Sequence, residues 1–418
     1  MELADHHIPA KRTIIPYYGA AALSLVAISI LTFISAGDFK GHFFQPHLLA
    51  ITHLTVLGWG TMIIMGASNQ LMPVIADSKL YSERIPVVSF ILLLFGTCLL
   101  VHSFWNFDLE ASIFIGASLV LISLTLHAIN ILLTCKKAQT NNIIIDFILT
   151  AHLWLIVTAV IGITLLLNFR LSFLPAEHLH YLKVHASIGM AGWFLLLVIG
   201  VSSRLIPMFL LSRKEVKGFL TIAYYLINGG LILLLIEGMV LKSTRWHLVY
   251  ISLIIAGLLF YMAYVWNCYK SAIRKKMDAG MKQTFVALGI ISLPFVLLIA
   301  AVMCYHDTPV SVISAYGYSF FAGFITTLIM GQTYKTLPFI VWMHLTKPDR
   351  LADLQPKDLY KEQLVTIQMR TYLPGFLLFL SGILLREHYL MYGGSVMMTA
   401  ASALYCSHVF YIINHLRK

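Results

Sequence analysis

Charge is what this sequence has least of. Asp, Glu, Lys and Arg make up only 11% of its 418 residues, less than half the share usual in soluble domains. At 59% hydrophobic residues, the chain is excluded from the ordinary soluble, disordered and nucleic-acid-binding classes, despite a formal net charge of +11. Cysteine is scarce and scattered: Cys98, Cys135, Cys268, Cys304 and Cys406 form no Cys-x-x-Cys pair and no Cys-x-x-Cys-His. That removes a disulfide framework, a zinc finger and covalent c-type haem, and leaves the redox compartment open. No P-loop, no Gly-rich dinucleotide fingerprint and no Gly-x-Ser-x-Gly elbow occurs. ATP-driven transport and hydrolase chemistry therefore have no support.

What is present is apolar sequence, with a mean hydropathy of +0.84. A bilayer core takes roughly 20 apolar residues per helix. On that measure the sequence predicts an all-α integral membrane protein, a single membrane domain over 1–418. Its twelve transmembrane helices are expected near 14–36, 47–73, 85–103, 110–134, 145–168, 181–210, 219–241, 247–268, 284–304, 312–344, 371–386 and 389–414. The run after Lys11 and Arg12 is long enough to be a retained first helix, not a cleavable signal. Loops after the even helices carry the cations: Lys79 and Arg84; Lys136 and Lys137; Arg213, Lys214 and Lys217; Lys270, Arg274, Lys275, Lys276 and Lys282; Lys347, Arg350, Lys357, Lys361 and Arg370. The opposite side holds only Lys40, Arg170, Lys183, Lys242, Arg245 and Arg386. By the positive-inside rule both termini are cytoplasmic, in a membrane of the bacterial inner-membrane type.

Helices 2, 6 and 10 share a pattern. They contain GWGTMIIMGASNQLMP, GWFLLLVIGVSSRLIP and GFITTLIMGQTYKTLP. Their first glycines, Gly58, Gly192 and Gly323, are separated by 134 and 131 residues, and Pro73, Pro207 and Pro338 keep that spacing. Three pseudo-threefold four-helix repeats follow, approximately 14–134, 145–268 and 284–414, running in parallel around an axis along the membrane normal. Small residues at the shared positions permit close helix packing. Gln70, Arg204 and Lys335 occupy one repeat position at the inner ends, where long cations are expected to snorkel to the interface. None of the three helices shows a mid-span break.

Seventeen histidines in so apolar a chain need an account, because ionisable groups inside a bilayer are costly and face the protein interior. His47 and His53 open helix 2. His178, His180 and His185 open helix 6, and Tyr316 and Tyr318 stand in the matching stretch of helix 10. His47 and His53 lie roughly 240° apart around a helix, and His180 and His185 roughly 140°. Neither pair can chelate from one face, so any site is assembled between helices, as haem and metal centres in bundles are. Imidazole suits both haem iron and copper. The ligand candidates are His53 and His185, which are deeper and expected to be repeat-related, followed by His47 and His180. His47, His178 and His180 also fit ordinary interfacial residues. His102 reads as a packing residue or a haem-propionate neighbour. His127, His152 and His408 lie toward the inner side, as isolated hydrogen-bonded histidines or as a proton or ion path. Glu177 and Glu237 are candidate proton-handling carboxylates for which surface placement is expected.

Twelve helices, units of four and outer-side histidines on helices 2 and 6 together resemble subunit I of the haem–copper oxidases, a superfamily that includes nitric oxide reductases. The stretch HASIGMAGWFLLLVIGVSSR also resembles the sixth-helix segment of the NnrS family, haem- and copper-containing membrane proteins linked to nitric oxide stress. The architecture covers nearly the whole chain. The oxidase resemblance implies His53 as a low-spin haem ligand and His185 as a copper ligand. It also marks two departures: helix 10 has no His-x-His, and 219–241 has no histidine.

The resemblance implies a haem b-binding membrane protein with copper possible, active in redox or nitric oxide handling. A membrane or periplasmic redox partner is expected beside the lipid bilayer, and no nucleic acid. If the protein is an enzyme, it is an oxidoreductase of that superfamily. Two other readings stand beside this one: a secondary transporter or permease for haem or copper, and a structural homologue without cofactors.

Overall fold

The computed structural model describes residues 9–136, 142–241, 245–274, 276–303, 309–345 and 354–417. Cys304, Lys137, Lys242, Lys275, Lys347 and Arg350 lie outside the described residues. Among the described residues are twelve helices long and apolar enough to cross a membrane. They are α1 (Lys11–Ile34), α2 (Pro46–Ile75), α3 (Arg84–Asn106), α4 (Ala111–Cys135), α5 (Ile143–Leu171), α6 (His178–Leu210), α7 (Lys217–Leu241), α8 (His247–Lys270), α9 (Ala279–Met303), α10 (Val310–Leu345), α11 (Glu362–Leu385) and α12 (His388–Arg417). No strand occurs among the described residues. The protein is an all-α integral membrane protein.

The expected boundaries hold to within a few residues, with one clear exception. Helix α11 begins at Glu362, not near 371, so Arg370 belongs to a helix and not to a loop. The added turns are too polar for a hydropathy window, yet they bury Val365 and Gln368, and packing of one face suffices to hold a helix. Local signals set other ends. Pro46 occupies the first turn of α2, where its missing N–H costs nothing. The Asp278 carboxylate accepts the Met281 N–H at the start of α9, and Glu362 accepts the Ala279 N–H.

The chain divides into two compact units. The first comprises Met1–Gln70, Pro86–Leu119 and Met277–Lys418; the second comprises Leu71–Ile85 and Val120–Lys276. In the first unit buried polar bonds join distant segments. The Trp59 indole donates to Thr326 (3.1 Å), Tyr405 donates to Thr333 (2.9 Å), and Ser29 and Ser402 share a 2.7 Å bond. In the second, Trp154 donates to Asn228 (2.9 Å) and Ser202 pairs with Tyr261 (2.6 Å). Pro207 removes the N–H that would have capped the Ser203 carbonyl. The Tyr264 hydroxyl donates to that carbonyl instead, at 2.8 Å.

The shared glycines explain why the pattern recurs. A methyl group at Gly66 would lie 2.6 Å from Tyr17 Cβ of α1, at Gly200 2.9 Å from Phe147 Cβ of α5, and at Gly331 2.8 Å from the Gly280 carbonyl of α9. Each of α2, α6 and α10 thus presses its second glycine against the helix that precedes it. The first glycines Gly58, Gly192 and Gly323 do the same against Ser24, Trp154 and Ile290.

The three helices are continuous, but they are not regular throughout. In α2, residues Leu54–Thr61 form a π-helical stretch; Ile188–Leu195 do so in α6 and Ser319–Ile325 in α10. These stretches begin at the repeat spacing and enclose the three first glycines. A π turn closes i→i+5 bonds and accommodates one extra residue, so the helix continues with its faces rotated. Hydropathy cannot register such a change, because composition and length stay the same.

Candidate functional site

The histidines of α2 belong to the first unit and sit just ahead of its π turn. The Nδ1 of His53 lies 2.8 Å from the Leu49 carbonyl. A carbonyl only accepts, so Nδ1 carries the proton and Nε2 the lone pair. That Nε2 makes no hydrogen bond to the described residues, and the half-buried ring stacks on Phe104 at 4.5 Å and 26°. His47 stacks on the next residue of α3, Trp105, at 4.1 Å. Its Nδ1 lies 2.6 Å from the Asp38 carboxylate, with 40% of the side chain exposed. His47 therefore has the character of an interfacial residue. His102 is exposed at the end of α3, where Asn106 donates to its carbonyl.

The histidines of α6 belong to the second unit. The Nδ1 of His185 donates to the Thr158 carbonyl of α5 at 2.9 Å, which again leaves the lone pair on Nε2. Gly162 makes room for this ring: a methyl group there would lie 2.9 Å from His185 Cε1. The Nε2 of His180 donates to the Gly238 carbonyl at 2.8 Å, which removes that nitrogen from ligation. His178 packs on Phe169 at 4.3 Å.

His53 and His185 are not equivalent in the repeat. At the shared spacing His53 falls opposite Ser187 and Tyr318, and His185 opposite Ile51 and Tyr316. An offset of two residues turns a side chain by about 200°. This is why His53 packs on the helix that follows its own and His185 on the helix that precedes it. In α10, Tyr318 donates to the Met398 sulfur (3.0 Å) and stacks on Phe379 (4.8 Å).

Three other expectations change. Glu237 is buried, not superficial, and accepts the Trp246 N–H at 2.6 Å, whereas Glu177 is exposed. Lys335 does not snorkel; its ammonium pairs with Asp278 in a largely buried ion pair. His127 and His152 are not isolated: their ring centroids are 5.3 Å apart, and neither nitrogen of His127 is hydrogen-bonded. His408 accepts the Lys361 N–H on Nε2 at 3.0 Å, while its Nδ1 has no partner. Among the described residues no group of three or more His, Cys, Asp or Glu converges as a metal site.

Comparison with known proteins gives a fold and no sequence family. No family model and no curated protein matches the sequence. A solved structure of a haem–copper terminal oxidase dimer is similar at a TM-score of 0.67 and 12% identity, over 96% of this chain and 84% of that one. The fold is that of a haem–copper terminal oxidase. At this identity the likeness concerns the path of the helices and not the residues between them. The oxidase fold accounts for all twelve spans and agrees with the architecture expected from the sequence.

Proposed function

We propose that this protein is a redox-active, haem b-binding membrane protein, with His53 the first ligand candidate and His185 the second. The observation that carries the reading is the fixed tautomer of both rings. A backbone carbonyl holds each Nδ1 and so places each ring's lone pair on Nε2, the arrangement that orients imidazole ligands in metalloproteins. The oxidase fold over nearly the whole chain supports it. Bound haem supplies a one-electron centre that can also bind a diatomic gas such as nitric oxide. The chain's own residues orient and enclose: Phe104 fixes the His53 ring, while Gly162 and Thr158 fix His185. His47 and His180 are second-rank candidates, since Asp38 and Gly238 already engage them.

The residues fit single imidazole ligands better than a multi-histidine copper centre, for which the described residues provide no three-donor group. We read both termini as cytoplasmic, the membrane as the bacterial inner-membrane type, and the electron source as a membrane or periplasmic redox partner. The threefold repeat is proposed as the origin of the fold, on the recurrence of the glycine contacts and the π turns.

The test is a reduced-minus-oxidised optical spectrum, with iron and copper analysis, on protein expressed with added haem. A b-type spectrum diminished in H53A and in H185A, each at its own ligand, and kept in H408A is the expected result. A colourless protein free of iron overturns the proposal and favours a structural homologue. Uptake of haem or copper into proteoliposomes without a redox partner would favour a permease.

A further inference from the structure

The second unit contains a pair of histidines that the proposed haem site leaves unused. His127 of α4 is fully buried and His152 of α5 is 3% exposed. Their rings are 5.3 Å apart between centroids, tilted by 36°, and the Trp193 indole stands edge-on to His152 at 5.1 Å. The Nδ1 of His152 donates to the Ile148 carbonyl at 2.7 Å, so its Nε2 bears a lone pair. That Nε2 and both nitrogens of His127 have no hydrogen-bond partner. Three orphaned ring nitrogens in an apolar interior are unusual, because buried polar groups are nearly always satisfied.

We propose that His127 and His152 form a binding site for one copper(I) ion. Two neutral nitrogen donors with no carboxylate or thiolate grouped beside them do not offset a divalent charge in a membrane interior, whereas they suit a soft monovalent ion of low coordination number. Imidazole is a good copper ligand. With metal–nitrogen distances of about 2 Å, two imidazoles on one ion have centroids no more than roughly 6 Å apart. The observed separation lies inside that limit. His152 ligates through Nε2. Its Nδ1 bond to α5 fixes the ring, as outer-shell partners fix metal-binding histidines. Trp193 closes one side and keeps water out.

The full-length protein in detergent would be titrated anaerobically with copper(I) against a chromophoric copper(I) chelator, and the bound ion examined by X-ray absorption. The proposal expects one copper(I) per chain with imidazole nitrogen ligands, at least tenfold weaker binding in H127L and in H152L, and unchanged binding in H53A/H185A. That last variant separates this site from the proposed haem ligands, so either can fail alone. Should a leucine variant not fold, H127Q and H152Q repeat the comparison. Absence of copper(I) binding, sulfur coordination, or full retention in both substituted proteins overturns the proposal.

Discussion

His53 lies face to face with Phe104, the ring centroids 4.5 Å apart and the planes 26° from parallel. The neighbouring Trp105 covers His47 in the same way. Two consecutive residues of α3 thus set the orientation of two imidazoles of α2. If His53 binds haem, Phe104 acts as a positioning residue. F104L is expected to retain haem with affinity lowered up to about tenfold, since aromatic pairs contribute about 0.5–1.5 kcal/mol beyond burial. H53A is expected to lose the haem at that ligand. Haem titration followed optically checks both. Equal affinity in F104L and wild type would show that the stacking does not position the ligand.

The glycine contacts predict a graded response. G331A pushes a methyl group against the Gly280 carbonyl, and G66A against Tyr17 Cβ. Each is expected to destabilise by about 1–3 kcal/mol, the usual range for overpacking. G289A and G229A meet nothing within 4 Å and are expected to be neutral or slightly stabilising. Thermal unfolding in detergent ranks the four variants, and a reversed order would contradict the close-approach account.

Asp278 has two tasks, capping α9 through the Met281 N–H and pairing with Lys335. D278A removes both and is expected to cost more than K335M, which leaves the cap in place. A cap contributes about 1 kcal/mol. A double-mutant cycle on the ion pair is expected to give a coupling energy of about 0.5–3 kcal/mol. Zero coupling would mean that the pair forms without contributing.

Deleting Val56 tests the π turn of α2. Loss of one residue there restores regular α-helical bonding and rotates the residues upstream by about 100° relative to those downstream. The protein is expected to remain folded by gel filtration while losing the haem held by His53. A deletion that preserves the spectrum would show that the turn does not aim this ring.

The twelve spans were legible because a bilayer imposes a length and an apolarity that any sequence window detects. The first turns of α11 were not, since residues 362–370 are held by packing of Val365 and Gln368 rather than by hydropathy. His53 and His185 stood out by depth. Their tautomers did not, because each depends on a carbonyl whose position only the folded backbone gives. The ion pair of Lys335 joins positions 57 residues apart, a separation without any periodic signal. Glu237 looked superficial, yet it is buried and its carboxylate accepts the Trp246 N–H, a contact without any sequence signal. The approach of His127 to His152 needs α4 and α5 to meet at one height, which neither helix records alone.

The π turns divide α2, α6 and α10 lengthwise. Beyond each turn the second glycine docks on the preceding helix; ahead of it, the aligned positions read His53, Ser187 and Tyr318. The extra residue absorbs a change of phase between these two lengths. At the spacing of the shared glycines an imidazole, a hydroxyl and a phenol stand in corresponding places. In α2 the half-buried His53 ring and the close contact of Gly66 thus fall on opposite sides of one π turn.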